Sequence, residues 1–487
     1  MNYRSCIRGN KGVSYLQLES IFVMGSNSSI RGRNDATAII TSGPIWSAVW
    51  YLTWPSAIST FIMTFYNIVN RIFLGHVPNA EASLAASGIG GNALNFQMAL
   101  LFGLSAGTSA LVSRSIGEDR RSDAVQAARQ SLILSVLAAV LTGVPLALCA
   151  KYLVSAIGAS GSVAPLAASY TAIISWASIP LFVNMIATAI LRSQGDVRSP
   201  LYSGAAVIVV NVLLDWLLIF GIDGVIQPMG IRGAGVASGA SRVVGMLLTL
   251  WFVRKSMLGE ALSHWRLDLR WLSRIFHIGW PASGQNLVMS LASAGYLRIL
   301  GMLPNGQATP AQAAFTVALA LEALAFQPGI AYSMAATPLV GQNLGAGQPK
   351  RAERSAWVAA GQAAAIMGLI ASLFLIIPKT LAKPFSSDTA LVPLIVAYLR
   401  INSFSEPFLA LNMVLRGALQ GAGNTFMPFV LTTVSLLIVR LPLEWLLAIH
   451  FKMGAAGAWW SMSLTACFGG ALMAIWFKFG NWRETKV

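Results

Sequence analysis

Residues 111–124 read LVSRSIGEDRRSDA, and residues 339–352 read LVGQNLGAGQPKRA, 228 positions further along the chain. Each stretch follows one long apolar segment and leads into another, so both mark the same kind of connection. The repeat therefore predicts two halves of related structure. Further pairs recur at nearly the same spacing: Trp54–Pro55 with Trp280–Pro281, and LLDWLL around Asp215 with PLEWLL around Glu444.

Composition places this repeat in a membrane. Of the 487 residues, 56% are hydrophobic and 10% are charged, whereas soluble proteins have about 25% charged residues. Apolar windows long enough to cross ~30 Å of hydrocarbon as a helix recur from residue 46 onward. Strands of a membrane β-barrel would instead alternate over about ten residues. The sequence predicts an all-α polytopic membrane protein.

Twelve transmembrane helices are predicted, six in each half. Because six crossings return the chain to the same side, both bundles have the same topology and are related by a pseudo-two-fold axis along the membrane normal. The predicted division is a polar tail, an N-lobe, a linker, a C-lobe and a C-terminal tail, at residues 1–43, 44–256, 257–270, 271–480 and 481–487. The predicted spans are residues 46–75, 82–113, 124–150, 163–193, 199–221, 233–256, 271–302, 310–343, 354–378, 388–420, 426–450 and 454–480.

The net charge of +16 is concentrated in the tails and in the short loops after even-numbered spans. Positive residues next to membrane helices favour the cytoplasmic side. We therefore expect both termini in the cytoplasm, a location in the inner (plasma) membrane, contact with the lipid bilayer and no nucleic-acid partner.

The chain has no recognisable cofactor or catalytic motif. Its cysteines, Cys6, Cys149 and Cys467, are far apart, and its histidines have no metal-ligand spacing. The glycine-rich segments GQNLGAGQPK and GIRGAGVASG lack the strand and the GK[ST] ending of phosphate-binding loops. We expect a monomeric protein that is not an enzyme and has no cofactor.

Twelve spans in two related halves, with LVSRSIGEDRRSDA after span 2 and LVGQNLGAGQPKRA after span 8, resemble the MATE (multidrug and toxic compound extrusion) transporters. RSQGDVRSP, GALQGAGNTFMP and NVLLDWLLIFG support the resemblance. It implies a secondary antiporter that exports amphipathic, often cationic organic compounds in exchange for H⁺ or Na⁺. Two alternatives remain open: a flippase of lipid-linked precursors from the wider superfamily, and a non-transporting scaffold or channel.

Asp215 is the strongest candidate for cation coupling. It lies in an apolar span, with Asn211 four residues earlier on the same helix face. Burial disfavours the charged form of a carboxylate, so such a group suits exchange of a proton for another cation. The resemblance implies that this pair forms the coupling site, and Asp215 would be a metal ligand if the ion is Na⁺. A structural hydrogen-bonded pair is the alternative.

The first span departs from the family pattern. The resemblance leads us to expect YN-x-x-D, but this chain has YNIVN, so Tyr66 is kept and Asn70 replaces the aspartate. An amide cannot take up a proton. Either Asp215 alone handles the coupling ion, or coupling moves to the second half. Arg71 is interpreted as an interfacial anchor. Pro55 is predicted to be a hinge, with a static kink as the alternative.

Candidates for the substrate cavity lie in spans 1, 7 and 8. Glu322, six residues before Pro328, is predicted to bind cations or cationic compounds. Flexible methionines and flat rings adapt to varied ligands, although lipid-facing packing would also explain them. Glu406 and Glu444 are equally compatible with structural and functional roles. The further cavity candidates are Gln285, Met63, Phe326 and Met289.

Overall fold

The computed structural model describes residues 31–77, 79–222, 224–304, 306–385 and 391–485. The first 30 residues of the predicted tail and the last two residues of the chain lie outside this description. Within the described ranges the regular structure is helical, and an isolated bridge joins Ile222 to Ile226. Among the described residues, twelve long helices, two of them bent, follow in two sets of six, which confirms the predicted all-α fold.

We number these twelve helices α1 to α12. The first six are α1 (Ile45–Leu74), α2 (Ala80–Gly117), α3 (Arg121–Leu148), α4 (Val163–Trp176 and Ser178–Ser193), α5 (Arg198–Phe220) and α6 (Ile231–Lys255). The second six are α7 (Leu269–Leu300), α8 (Ala308–Gly345), α9 (Pro349–Ile376), α10 (Leu391–Ser403 and Glu406–Gly421), α11 (Phe426–His450) and α12 (Gly454–Phe479). Short helical segments cover Arg31–Thr41, Ala150–Ala156, Gly259–Leu262, Pro378–Ala382 and Trp482–Glu484.

Most of these helices are long and apolar enough to span a membrane. Eight described helices meet that criterion, and ten do so if each bent pair is one span. The bends are 45° in α4 and 58° in α10. Since α4 and α10 are the fourth helices of their halves, the bends agree with the sequence repeat. The remaining two helices, α1 and α7, have 30 and 32 residues.

Helix α11 departs from α-helical geometry. Residues Val434–Arg440 and Trp445–His450 are π-helical, and the α-helical turn Leu441–Glu444 separates them. Pro442 lies in that turn and cannot donate a backbone hydrogen bond. Wide π-turns recur at functional sites, and here they flank the turn Leu441–Glu444, with Arg440 as the last π-helical residue before it.

The two lobes are in close contact where α2 meets α7 and α8. A side chain at Gly117 would overlap the carbonyl of Gln342, and one at Gly341 would overlap Ser113. Gly107 packs in the same way on the backbone of Ile275. Small residues allow such close approach of membrane helices. These contacts lie at one end of the helices, on the same side of the molecule as the described parts of both tails.

The last part of the predicted polar tail is an ordered helix. Ile40 of Arg31–Thr41 is fully buried and belongs to a core cluster with Val197 and Leu339. Arg351 donates to the carbonyl oxygens of Ile40, at 3.1 Å, and Gly43, at 2.5 Å. The helix therefore contacts both halves of the chain.

The predicted linker lies along α3. The Gln130 side chain donates to the carbonyl of Arg266 at 2.6 Å and accepts from the backbone N–H of Asp268 at 3.1 Å. Because Gln130 is fully buried, these bonds also satisfy its amide group.

Candidate functional site

The first polar cluster inside the spans lies on α5. Asn211 and Asp215 are 0% and 1% exposed. Asn211 Nδ2 donates to Ser241 Oγ of α6 at 3.2 Å. Within the described part of the chain, Asn211 Oδ1 and Asp215 Oδ1 have no hydrogen-bond partner. Both buried oxygens are thus free to accept a hydrogen bond or a cation, and the Asp215 oxygen can also accept a proton.

Helix α1 supplies the other two predicted coupling residues. Asn70 Nδ2 donates to Tyr66 Oη at a long 3.5 Å. Tyr66 also interacts with Ser238 and, electrostatically, with Asp215 and Arg242. The Asn70 oxygen is another buried acceptor with no partner among the described residues. The structure therefore brings α1 and α5 together around this cluster.

Sequence reasoning assigned no role to Arg242 or Tyr170, which belong to the same neighbourhood. Both interact electrostatically with Tyr66. One guanidinium nitrogen of Arg242, Nη1, is buried without a hydrogen-bond partner in the described ranges. The sequence signal that could have identified Arg242 is an arginine in the middle of an apolar span, because such residues are usually functional.

The donor set of this cluster fits a proton or a hard monovalent cation. Its unpartnered atoms are a carboxylate oxygen and two amide oxygens, and hard cations prefer oxygen ligands. The described residues contain no group of three or more His, Cys, Asp or Glu that would hold a metal ion. Only Asp215 among the three oxygen donors can take up a proton.

The second polar cluster surrounds a cavity of about 310 Å³ in the C-lobe. Three of the predicted cavity residues, Glu322, Phe326 and Met289, line it. Further lining residues come from α7, α8, α10, α11 and α12. They include Phe315, Leu409, Arg416, Arg440 and Thr465.

Glu322 is 3% exposed and accepts a hydrogen bond from the hydroxyl of Tyr398. Tyr398 is fully buried and packs edge-on against Trp459, with ring centroids 5.1 Å apart. Aromatic packing holds the hydroxyl in place, so the carboxyl group has a fixed orientation at the cavity wall. Sequence reasoning missed Tyr398, because no local pattern connects it to Glu322, 76 positions away.

Glu406 and Glu444 are the other buried acids of the C-lobe, at 1% and 0% exposure. In the described part of the chain, the Glu444 carboxyl group has no hydrogen-bond partner. Glu406 interacts electrostatically with Glu322, and Glu444 with Arg440. Arg440 Nε donates to Thr465 Oγ1 at 2.9 Å.

The other predicted cavity residues, Gln285 and Met63, are not among the residues that line this cavity. Gln285 is buried and donates to Thr432 Oγ1 at 2.6 Å and Pro428 O at 3.2 Å, which ties α7 to α11. Met63 is on α1 and is 52% exposed. Helix α1 continues through Pro55 without interruption. The Arg71 side chain lies outside the described residues.

Comparison with known proteins decides the family. The MatE family model matches residues 55–217 and again residues 281–446, one match in each lobe. The chain belongs to the MatE family. The double match coincides with the internal repeat, and it confirms the resemblance drawn from the sequence.

Relatives of this MatE protein are transporters. It is 27% identical over 445 residues to the probable multidrug resistance protein NorM of Thermotoga maritima, covering 90% of this chain and 93% of the relative. It is also 27% identical over 415 residues to the FAD transporter of Shewanella oneidensis, covering 83% and 88%. The MatE chain is therefore a multi-pass membrane transporter.

A solved structure shares its fold. The structure is described as the outward-facing conformation of a multidrug resistance MATE family transporter of the MOP superfamily. The similarity has a TM-score of 0.84 at 21% identity, with 95% of this chain and 100% of the other chain covered. This MatE protein thus shares the fold of that structure, and its own described helices follow in two sets of six.

Proposed function

We propose that this MatE protein is a secondary antiporter that exports amphipathic organic compounds, often cationic ones, in exchange for H⁺ or Na⁺. The observation that carries the proposal is Asp215, a buried carboxylate with an unpartnered oxygen beside Asn211. A buried acid inside a membrane span is costly, and such residues usually belong to ion or substrate pathways. Multidrug resistance in the name of the Thermotoga relative supports the substrate class.

In the proposed cycle the lobes expose the polar clusters to one side of the membrane at a time. The tight contact of α2 with α7 and α8 closes the space between the lobes on the side of the molecule where the tails lie. The positive-inside bias of the loops supports a cytoplasmic location for that side. Entry of the ion at Asp215, with Tyr66, Asn70 and Asn211 as neighbours, would then accompany release of the compound outside. We propose that the protein works as a monomer in the plasma membrane.

The two halves offer two ways to handle the ion. Because Asn70 cannot be protonated, Asp215 is the sole titratable carboxyl group among the four predicted coupling residues. The C-lobe, by contrast, buries Glu322, Glu406 and Glu444. If the ion couples through Asp215 alone, Asp215→Asn should abolish transport. If coupling is shared with the C-lobe, the same substitution should leave part of the transport.

Reconstituted protein provides the test. In proteoliposomes, a pH gradient alone and a sodium gradient alone are applied in separate experiments, and one of the two should drive uptake or release of an amphipathic fluorescent compound. Asp215→Asn should abolish this movement, while Glu81→Gln, which changes an exposed acid at the start of α2, should leave it intact. Full transport by Asp215→Asn would refute the central role of Asp215.

The same assay separates the alternatives. Movement that ignores both gradients would favour a channel, and no movement of any compound would favour a scaffold. The FAD transporter from Shewanella shows that relatives are not all named for drugs, so the compound panel should include anionic species. Scrambling of a labelled lipid-linked precursor would favour the flippase.

A further inference from the structure

We infer that the C-lobe cavity binds small aromatic anions, with the oxyanion placed against the guanidinium group of Arg416. This inference rests on the proposed function for the transport step and departs from it in the charge of the compound, which is anionic here and not cationic. The expected occupant has a flat apolar body and one carboxylate or similar oxyanion.

The balance of charge around the cavity is the first reason. Among the described lining residues, two are arginines, Arg416 and Arg440, and one is an acid, Glu322. The acid already accepts a hydrogen bond from Tyr398. Cationic side chains therefore outnumber acidic ones in the lining itself, which suits an anion. The buried acids Glu406 and Glu444 are not lining residues, and they interact with Glu322 and Arg440.

Arg416 is the cation that lacks a counter-charge. Its Nη1 donates to Met289 Sδ at 3.6 Å, and a thioether is a weak acceptor. Within the described ranges, no carboxylate oxygen lies within 4.0 Å of its guanidinium nitrogens. The Arg416 side chain is half-buried and lines the cavity, and a guanidinium group without a counter-charge attracts anions. An oxyanion in the cavity would supply that counter-charge.

The positive charge of Arg440 is better neutralised by its neighbours than that of Arg416, so Arg440 contributes less to binding of the anion. Its Nε donates to Thr465, and it interacts electrostatically with Glu322 and Glu444. Its position in the same wall still adds positive potential. A carboxylate held mainly by Arg416 would lie in the field of both guanidinium groups, whose fork of N–H donors matches an oxyanion.

The volume and the apolar lining of the cavity indicate the size and shape of the rest of the ligand. A volume of about 310 Å³ is near the lower end of the roughly 300–1,000 Å³ found for small-molecule pockets. Phe315, Phe326 and Leu409 supply flat or branched apolar surface. The cavity therefore fits one small ring system better than a large polycyclic compound.

Three probes with one ring system test the charge preference: naphthylacetate, its neutral amide naphthylacetamide, and naphthylmethyltrimethylammonium. Binding is measured by tryptophan fluorescence with the full-length protein in nanodiscs of zwitterionic lipid. A hydrogen bond to a charged group predicts that naphthylacetate binds about tenfold more tightly than the amide. The ammonium probe should bind most weakly.

Arg416→Gln should remove the preference for the anion, and Arg416→Lys should restore part of it. Arg400→Gln is the matched control, because Arg400 lies on the same helix but is exposed. Thermal unfolding midpoints close to that of the original protein would show that each variant is folded. If Arg416→Gln fails to fold, the Arg416→Lys variant and the probe ranking on the unchanged protein still decide the matter.

The inference is overturned if the ammonium probe binds as tightly as the anion, or if Arg416→Gln leaves the anion-to-amide ratio unchanged. Binding needs no ion gradient, so this outcome is distinct from failure of the antiporter proposal. Anion binding that depends on Arg416, together with no gradient-driven transport, would instead refute antiport and leave this inference standing.

Discussion

Gln342 of α8 donates from Nε2 to the carbonyl oxygen of Ser193 at the end of α4, over 2.7 Å. Gln342 is fully buried, and this bond joins the C-lobe to the N-lobe. The carbonyl of Gln342 in turn faces Gly117 at the end of α2. One residue thus contacts two N-lobe helices at the place where the lobes are closed.

Gly117→Ala should loosen this closure, because the added methyl group would overlap the Gln342 carbonyl. Overpacking of a tight contact costs about 1–3 kcal/mol. Spin labels placed at the exposed positions Asp119 and Lys350 should report a longer inter-lobe distance. Gly361→Ala is the control, since a methyl group there meets no atom within 4 Å. An unchanged distance in Gly117→Ala would contradict the closed contact.

Asn70→Asp should change the ion dependence of transport. The substitution adds a carboxyl group beside Tyr66, which itself interacts with Asp215. Two carboxyl groups in one site bind protons or sodium differently from one. Efflux is measured across a series of pH values and sodium concentrations, with Asn481→Asp, an exposed position outside the spans, as the control. Identical profiles for Asn70→Asp and the unchanged protein would remove Asn70 from the ion site.

Tyr398→Phe should destabilise the C-lobe by about 1–3 kcal/mol, because Glu322 loses the hydroxyl donor to its buried carboxyl group. The double variant with Glu322→Gln should lose less than the sum of the two single changes. Thermal unfolding in detergent measures both effects. Tyr152→Phe, which alters a 77% exposed residue, should have no effect. Additive losses would argue against a direct Tyr398–Glu322 bond.

Arg351→Ala should release the helix Arg31–Thr41 from the lobes. The guanidinium group donates to the carbonyl oxygens of Ile40 and Gly43 that end this segment. Hydrogen exchange at residues 38–43 should become faster, while the exchange of α9 should stay unchanged. Lys350→Ala, at the exposed neighbouring position, provides the comparison. Equal exchange in both variants would show that Arg351 does not hold the helix.

Local sequence patterns predicted the pairs that lie on one helix. Asn211 with Asp215, and Tyr66 with Asn70, are four residues apart and share a face because of the helical period. Arg440 and Glu444 are also four residues apart, but the structure places no carboxylate of the described residues within 4.0 Å of Arg440. The π-helical turns on both sides of this segment change the register on which an i,i+4 estimate depends.

By itself, the sequence determined twelve helices in two related halves. The thickness of the hydrocarbon region imposes the length of each apolar run, and the repeat at 228 residues marks the two halves. Tertiary structure alone decided which polar groups meet: Tyr398 with Glu322, Ser241 with Asn211, and Arg416 with the cavity. These contacts join helices distant in sequence, and they depend on bends and packing that no local pattern encodes.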